Sequence, residues 1–218
     1  EGYLADVSSM NNVEGLAQAI TENHNHIDVV INNAGVLRSP GAFTPEGLDI
    51  RFAVNTFAPC LLTQRLLPLL GDDARVIDLS SAAQSPVNLD ALVGKSEVPE
   101  QLNAYAQSKL ALTMWSRHMA RLHSDKGLVF VAVNPGSLLA TNMVKEGFGM
   151  PGKDIQIGVD ILVRAALSEE FADASGKYFD NDSGQFSSPH SDALDARKVE
   201  KVAQVITDTL ANSGHKLN

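Results

Sequence analysis

Three nearly continuous runs of apolar, β-branched residues recur along the chain, at 27–32, 74–80 and 128–134. Strands that are apolar at successive positions are typical of a sheet that is covered on both faces, as parallel sheets are. The pattern therefore predicts that these runs are strands of a parallel sheet.

Segments with helical spacing alternate with these strands, which predicts a doubly wound α/β fold in one domain over 1–218. The longest helix is expected to have Pro45 in its first turn and to end before Gly71. The other elements are helices at 11–23, 45–70, 102–124, 155–168 and 192–211, and short strands at 3–7 and 176–180.

Three turns rich in Asn, Ser or Gly follow the three runs directly, at 32–35, 80–81 and 134–136. In an open α/β sheet, ligands bind outside the carboxyl ends of the strands. We therefore expect these turns to gather along one edge of the sheet and to form the functional site there.

The composition excludes several classes of function. The 218 residues are 44% hydrophobic, which suits one domain with a sizeable core. A net charge of −9 argues against nucleic acid or an anionic membrane as the main partner. No apolar run approaches the roughly 18 residues of a membrane span.

The numbers and positions of cysteines and histidines bear on disulfide bonds, cellular location and metal binding. Cys60 is the single cysteine, so no disulfide can form within the chain, which favours a cytoplasmic location. We interpret Cys60 as part of the core. The six histidines lack the close pairing of metal ligands, so no metal site is predicted.

Tyr105 and Lys109 lie four residues apart in a predicted helix and therefore share a face. An ammonium beside a phenol favours the phenolate and lowers its pKa, although the same spacing also occurs in ordinary exposed pairs. Ser81, at a strand end, could donate a hydrogen bond to a substrate oxygen that gains charge, or could simply cap a turn.

Asn55 lies four residues before Pro59 in the helix predicted at 45–70. Proline has no N–H, so the Asn55 carbonyl lacks its helical donor. A buried free carbonyl needs a partner, and a water molecule there could begin a proton path. The alternative is a proline kink without function.

These features together resemble the motifs of the short-chain dehydrogenases/reductases, over essentially the whole chain. The motifs appear in the family's order: Asn-Asn-Ala-Gly at 32–35, Asn55, Ser81, Tyr105-x-x-x-Lys109 and Pro135-Gly136. The resemblance implies a Rossmann-like domain in which NAD or NADP exchanges a hydride with a carbonyl or alcohol substrate. The long segment between Ser81 and Tyr105 and the closing "SGKYFD" resemble the retinol-dehydrogenase-like branch.

The resemblance also implies a role for each motif residue. Tyr105 would exchange a proton with the substrate, while Lys109 would hold the nicotinamide ribose and lower the pKa of the tyrosine. Ser81 would orient the substrate oxygen, and Asn55 would hold a water molecule that joins Lys109 to solvent.

The cofactor contacts implied by the resemblance extend to both ends of the motif set. Asp6 corresponds to the residue that contacts adenine. Thr141 corresponds to a residue near the carboxamide, one position later than in the commoner pattern. The full set is Asp6, Asn33, Ala34, Gly35, Tyr105, Lys109, Pro135, Gly136 and Thr141.

The Gly-x-x-x-Gly-x-Gly turn that binds the cofactor pyrophosphate in the family does not occur in this sequence. We therefore interpret the sequence as an incomplete domain that starts at the family's third strand, within a longer polypeptide. A natural short form is the alternative. The residue that would select NAD or NADP lies in the same absent segment.

The positions of apolar residues lead to two predictions, one about the substrate and one about the oligomeric state. The loop and helix over 137–170 are expected to bind substrate, and the apolar loop favours a fairly hydrophobic small molecule. The helices at 45–70 and 102–124 carry more apolar residues than one buried stripe needs, so a homodimer or homotetramer is expected.

Two other functions remain open at this point. A non-enzymatic binding or regulatory protein on the same fold would fit the missing phosphate turn. A sugar-nucleotide epimerase would use the same tyrosine and lysine, but few residues follow Gly136 to build its added substrate domain.

Overall fold

A five-stranded, mostly parallel sheet forms the centre of the computed structural model, which describes residues 1–39 and 41–217. The strands lie in the sheet in chain order, the first four parallel and the last antiparallel to its neighbour. They are β1 (Ile27–Asn32), β2 (Leu70–Leu79), β3 (Val129–Asn134), β4 (Tyr178–Asp180) and β5 (Gln185–Ser187). The prediction of an α/β fold is confirmed.

Helices connect the strands and cover both faces of the sheet. The helix before β2 contains one wide π-helical turn at Ala53–Phe57, and 3₁₀ turns lie at Leu67–Leu69, Glu169–Phe171 and Ser191–Leu194. The α-helices are α1 (Met10–Asn23), α2 (Ile50–Phe52), α3 (Ala58–Leu66), α4 (Leu89–Leu92), α5 (Gln101–Leu122), α6 (Asn142–Phe148), α7 (Gln156–Leu167) and α8 (Ala196–Asn212).

Side chains of the central strands alternate between two apolar layers. Val76 and Phe130 pack into the larger layer, with α1, α3, α5 and α8. Their neighbours Ile77 and Val131 point to the other face, where α7 covers them. Because both faces are buried, nearly every position of these strands is apolar.

The strand predicted at 3–7 is wrong. No strand lies beside these residues in the described part of the chain, so their backbone groups have no ladder to join, and Leu4 is fully exposed. Asp6 instead starts a turn, in which the Ser9 N–H donates to its carbonyl. The predicted helix at 11–23 follows as α1.

The helix predicted from Pro45 begins at Ile50 instead. The preceding residues form a turn in which the Gly47 N–H donates to the Thr44 carbonyl, with Gly47 at a φ of +85°. The Asp49 carboxylate accepts from the Arg51 N–H and so caps the first turn of α2. At the other end, the helix stops early and β2 already includes Gly71.

Three short elements escaped the sequence analysis, namely α4, α6 and β5. Helices this short form only where their ends are satisfied, and their apolar periodicity is too brief to read. Asn88 caps α4, Thr141 caps α6, and Gly149 ends α6 in the left-handed region. β5 pairs back onto β4 after Gly184, also left-handed.

The apolar surplus on the long helices is accounted for within the chain. Leu61, Trp115 and Met119 are buried, and Val202 and Ile206 of α8 belong to the same apolar cluster. The observation that suggested a homodimer or homotetramer is therefore explained by packing within the chain, of α1 against α3 and of α8 against α5. Oligomerisation stays a prediction.

Gly94 is expected to be intolerant of a side chain. It has a φ of +77°, and an added Cβ would collide with the carbonyl oxygen of Gly47. Gly94→Ala should therefore lower the free energy of unfolding in urea by more than about 1 kcal/mol. Gly184→Ala is the matched control, because it has a φ of +69° and open space around it. Equal losses in the two variants would contradict the close approach.

Candidate active site

The three polar turns of the sequence lie along one edge of the sheet. β1, β2 and β3 are parallel, and Asp78 near the end of β2 pairs with Asn32 on one side and Ala132 on the other. The turns at 32–35, 80–81 and 134–136 therefore follow the carboxyl ends of adjacent strands. This is the edge at which open α/β sheets bind ligands.

Tyr105, Lys109 and Ser81 are brought together at this edge. The Lys109 Nζ lies over the Tyr105 ring, 5.7 Å from its centroid. Lys109 is buried and donates from Nζ to the Leu79 carbonyl at 2.7 Å. The Ser81 side chain lies near the Tyr105 phenol and lowers its pKa, while its Oγ accepts a hydrogen bond from the Ala83 N–H at 3.1 Å. The arrangement places a phenol, a hydroxyl and an ammonium in one cluster.

The pKa of Tyr105 differs from the sequence-based expectation. Burial raises the pKa of the phenol, and the neighbouring Ser81 side chain lowers it less. Burial also lowers the pKa of Lys109 to about 8, while the charge of Asp78 opposes this. Lys109 is not among the groups that shift the pKa of Tyr105, so the expected lowering by the lysine is not seen and desolvation of the phenol sets the direction.

Asn55 is fully buried in the π-helical turn and fastens the turn after β1. Its Oδ1 accepts from the Val36 N–H at 2.8 Å, and its Nδ2 donates to the Val36 carbonyl at 2.9 Å. The same Nδ2 donates to Ser108 Oγ at 2.9 Å. The side chain therefore ties the glycine-containing turn to α5.

Ser108 was missed by the sequence analysis. Its Oγ donates to the Tyr105 carbonyl at 2.7 Å while accepting from Asn55. It precedes Lys109 and is buried, so it links the asparagine to the tyrosine. A serine three residues after Tyr105, on the same face of the predicted helix, was the available signal.

Pro59 coincides with the widening of the helix around Asn55. Because it has no N–H, the α-helical ladder cannot continue through it. Just before it, the Ala58 N–H donates to the Ala53 carbonyl, five residues earlier, which is the π-helical pattern. The water on the Asn55 carbonyl stays a prediction.

Gly35 leaves room directly beside the buried lysine. A Cβ on Gly35 would lie 3.4 Å from Asn55 Oδ1 and 3.4 Å from Lys109 Nζ. Asn33 and Ala34 are exposed at the same edge. This bare backbone beside a donor fits the nicotinamide–ribose half of a dinucleotide, which needs close approach and a hydrogen-bond donor.

The Asn134–Gly136 turn is fixed by the β4–β5 hairpin. Asn134 Nδ2 donates to the carboxylates of Asp180 at 2.8 Å and Asp182 at 2.9 Å. Asn181 Nδ2 donates to the Pro135 carbonyl at 3.0 Å. Residues 181 and 182 follow the last predicted strand, and the sequence analysis did not assign them to the site.

Ser81 is held from the opposite side by two side chains that were also missed. Tyr178 donates its hydroxyl to the Ser81 carbonyl at 3.1 Å, and Gln84 donates Nε2 to the same oxygen at 2.9 Å. Burial, together with the nearby charge of Asp180, raises the pKa of Tyr178 well above its usual range. The phenol therefore stays neutral and remains a donor.

Asp6 and Thr141 are not joined to this cluster by hydrogen bonds within the described residues. Asp6 is exposed and accepts from the Ser8 N–H at 3.0 Å and from the Ser8 hydroxyl at 2.7 Å. Thr141 Oγ1 accepts from the Val144 N–H at the start of α6. Their predicted cofactor contacts remain predictions.

Two further features of the described residues concern metal binding and membrane insertion. Within residues 1–39 and 41–217, no group of His, Cys, Asp or Glu side chains could hold a metal ion. None of the helices described there has both the length and the apolar character required to cross a bilayer.

The family model and the similar sequences of known proteins agree with each other. The short chain dehydrogenase family matches residues 1–150. Retinol dehydrogenase 13 from Homo sapiens is 31% identical over 193 residues, covering 80% of this chain and 58% of that protein. Retinol dehydrogenase 14 from Homo sapiens is 28% identical over 223 residues, covering 94% and 66%. The chain thus spans about three fifths of the relatives it matches.

Solved structures show the same fold. An uncharacterised protein from Mycobacterium paratuberculosis matches with a TM-score of 0.76 at 25% identity, over 95% of this chain and 74% of that one. The ketoreductase LanV, with bound NADP and rabelomycin, matches with a TM-score of 0.57 at 28% identity, over 81% and 71%.

Proposed function

The chain belongs to the short chain dehydrogenase family, and we propose that it is part of an NAD(P)-dependent oxidoreductase that interconverts an alcohol and a carbonyl compound. One observation carries the proposal. The Tyr105 phenol, the Ser81 hydroxyl and the Lys109 ammonium converge at the edge where an open sheet binds its ligand. The NADP bound by LanV supports the same cofactor class.

The protein's own residues would manage the proton and the developing charge. In the direction of reduction, Ser81 donates a hydrogen bond to the substrate oxygen, and Tyr105 delivers its proton to that oxygen. Lys109 stabilises the phenolate that remains. A bound NAD or NADP supplies the hydride. In the direction of oxidation each proton transfer is reversed.

The residues proposed to hold the cofactor surround Gly35 and the buried lysine. Lys109 would donate to the ribose, while Asn33, Ala34 and Gly35 offer backbone at close range. Pro135 and Gly136 would lie against the carboxamide side. The pyrophosphate would need donors beyond these residues, since none of these turns is a phosphate-binding turn.

The substrate is proposed to be a fairly hydrophobic small molecule. Several large apolar side chains of the segment after Gly136 are exposed, although α6 and α7 offer buried positions for others. The exposed side chains include Leu138, Phe148, Met150, Ile155 and Ile157. Exposed apolar side chains after the turn at this edge favour an apolar ligand, and the retinol dehydrogenases among the relatives are consistent with this.

A fluorescence titration with NADPH and NADH tests the cofactor. We expect saturable binding that weakens at least about tenfold in Lys109→Met, because the buried ammonium is the donor to the ribose. Lys145→Met, an exposed lysine on α6, is the control and should bind as the original chain does. The titration is repeated on any longer polypeptide that contains this chain.

The runner-up function is a non-enzymatic binding protein on the same fold. The absence of a Gly-rich phosphate turn in the sequence favours it. It would be supported if no nucleotide binds to either form, or if bound NADPH is never consumed with retinal or aliphatic aldehydes. Consumption of NADPH with any of these aldehydes would exclude it.

A further inference from the structure

A second polar cluster lies beneath the proposed active site, on the face of the sheet that α3 and α5 cover. Its centre is Asp78 in β2, which is 2% exposed. Buried carboxylates are rare because desolvation of the charge is costly, so such a group needs specific partners. The mechanism above makes no use of it.

One neighbouring side chain donates a hydrogen bond to this carboxylate, and a second lies close to it. Asn32 Nδ2 donates to Asp78 Oδ1 at 2.7 Å and also to Thr63 Oγ1 at 3.0 Å. The buried Ser116 hydroxyl has no hydrogen-bond partner within standard limits in the described part of the chain. It lies against the same carboxylate and lowers its pKa. Asn32 and Ser116 therefore favour the charged carboxylate, while burial of the group opposes it.

Lys109 faces the same cluster. Residues 109, 113 and 116 share one face of α5, and that face lies over the end of β2. The Lys109 Nζ donates to the carbonyl of Leu79, the residue directly after Asp78. No carboxylate among the described residues lies within 4.0 Å of this ammonium, and Asp78 is the acidic group whose charge acts on it.

We propose that Asp78 is the buried counter-ion of Lys109 and a positioning residue that keeps the ammonium protonated for the reaction. The inference rests on the proposed function and specifies how that site is regulated by pH. Without a negative charge nearby, a fully buried lysine tends to lose its proton. The neutral amine would lose the charge that stabilises the Tyr105 phenolate.

The charged state of the pair has two limits. Burial raises the pKa of Asp78 to about 6, against the lowering by Asn32, Ser116 and Lys109. Burial lowers the pKa of Lys109 to about 8. From α3, Cys60 also faces Asp78, and burial together with this carboxylate raises the pKa of the thiol, so it remains neutral. Both members are therefore charged between about pH 6 and pH 8.

The titration of Lys109 tests the proposal without any cofactor. Lysines labelled with ¹³C at Cε are followed by NMR against pH, and the Lys109 signal is the one that Lys109→Met removes. The wild-type midpoint is expected near pH 8. In Asp78→Asn, which keeps the shape of the side chain, it should fall by about one pH unit or more.

The same NMR spectra provide a control variant and the result that would overturn the proposal. Asp73→Asn removes an exposed carboxylate from the same strand and should leave the Lys109 midpoint unchanged. An unchanged midpoint in Asp78→Asn overturns the proposal. Asp78→Ser, a smaller neutral replacement, takes its place if Asp78→Asn does not fold.

The reciprocal effect is measured on Asp78 itself through stability. Because its folded pKa is above its unfolded value of about 3.9, its contribution to stability is present below pH 4 and is lost as the pH rises through about 6. In Lys109→Met this fall in the free energy of unfolding by urea should move to higher pH. A fall at the same pH would contradict the pairing.

These readouts separate the proposal from the function it rests on. The midpoints report only whether the two groups are coupled. If they shift as expected but NADPH is never turned over, the counter-ion pair stands and the oxidoreductase assignment fails. If turnover occurs but the midpoints do not shift, Asp78 has no positioning role.

Discussion

Tyr105→Phe is expected to lower kcat for reduction of an aldehyde by about 10²- to 10⁴-fold, the usual contribution of a general acid. The variant removes only the hydroxyl that delivers the proton. That hydroxyl lies near Ser81, whose backbone is held independently by Tyr178 and Gln84. The fold and the affinity for NADPH should therefore remain close to those of the unmodified chain.

Steady-state kinetics with NADPH and an aldehyde at saturation measures this effect, on whichever form binds the cofactor. Tyr3→Phe is the matched control, since this exposed tyrosine bonds to Glu1 far from the sheet edge. Undiminished kcat in Tyr105→Phe would remove the proton-transfer role. Loss of NADPH binding in the same variant would make the kinetic loss uninformative about chemistry and point to Tyr105 as a binding residue.

Asn55→Leu is expected to cause the largest loss of stability, about 3 kcal/mol or more. The replacement is apolar and fully buried, so it leaves the Val36 N–H, the Val36 carbonyl and Ser108 Oγ without their partner. Each buried polar group left unpaired costs about 1–3 kcal/mol. Unfolding in urea followed by circular dichroism measures the change.

Asn103→Leu serves as the comparison for that variant. Asn103 is half-buried and accepts one hydrogen bond, from the Ser85 hydroxyl. It should cost less than about 1 kcal/mol, because water can replace the lost partner. Similar losses at the two positions would mean that Asn55 does not fasten the turn after β1.

The central strands could be predicted because their burial leaves a simple mark. A strand covered on both faces has no position that favours a polar side chain, so the runs at 27–32 and 74–80 could be recognised as strands from the sequence. Their parallel order then places the residues after them on one edge. Asn33, Gly35 and Ser81 could be placed at this edge in this way, without any knowledge of the helices that cover the sheet.

The helix starts and the strand at 3–7 could not be predicted in the same way. Pro45 suits a first helical turn, yet Gly47 and the cap at Asp49 move the start to Ile50. Residues 3–7 have a strand-like sequence, but a strand forms only beside another strand. The local sequence pattern indicates which secondary structure a segment can adopt, while the elements packed beside it decide which structure forms.

The direction of the Tyr105 pKa also lay beyond the sequence. Spacing places Lys109 beside the phenol but gives no measure of how much solvent either group loses. In the structure burial dominates both groups and moves their pKa values toward the neutral forms. Ser108, Asp78 and Tyr178 were not assigned to the site from the sequence, because their roles can be recognised only once their burial is known.

The π-helical turn at Ala53–Phe57 amounts to one surplus residue in an otherwise α-helical segment. Removing a single codon there, for example that of Thr56, would restore a continuous ladder up to Pro59. Because the wide turn absorbs the extra residue, the helical residues on either side would keep their orientation, and only the residues within the turn would change theirs. Asn55 would swing away from Val36 and Ser108, so an in-frame loss of three nucleotides would dismantle the site while leaving every motif residue in the sequence.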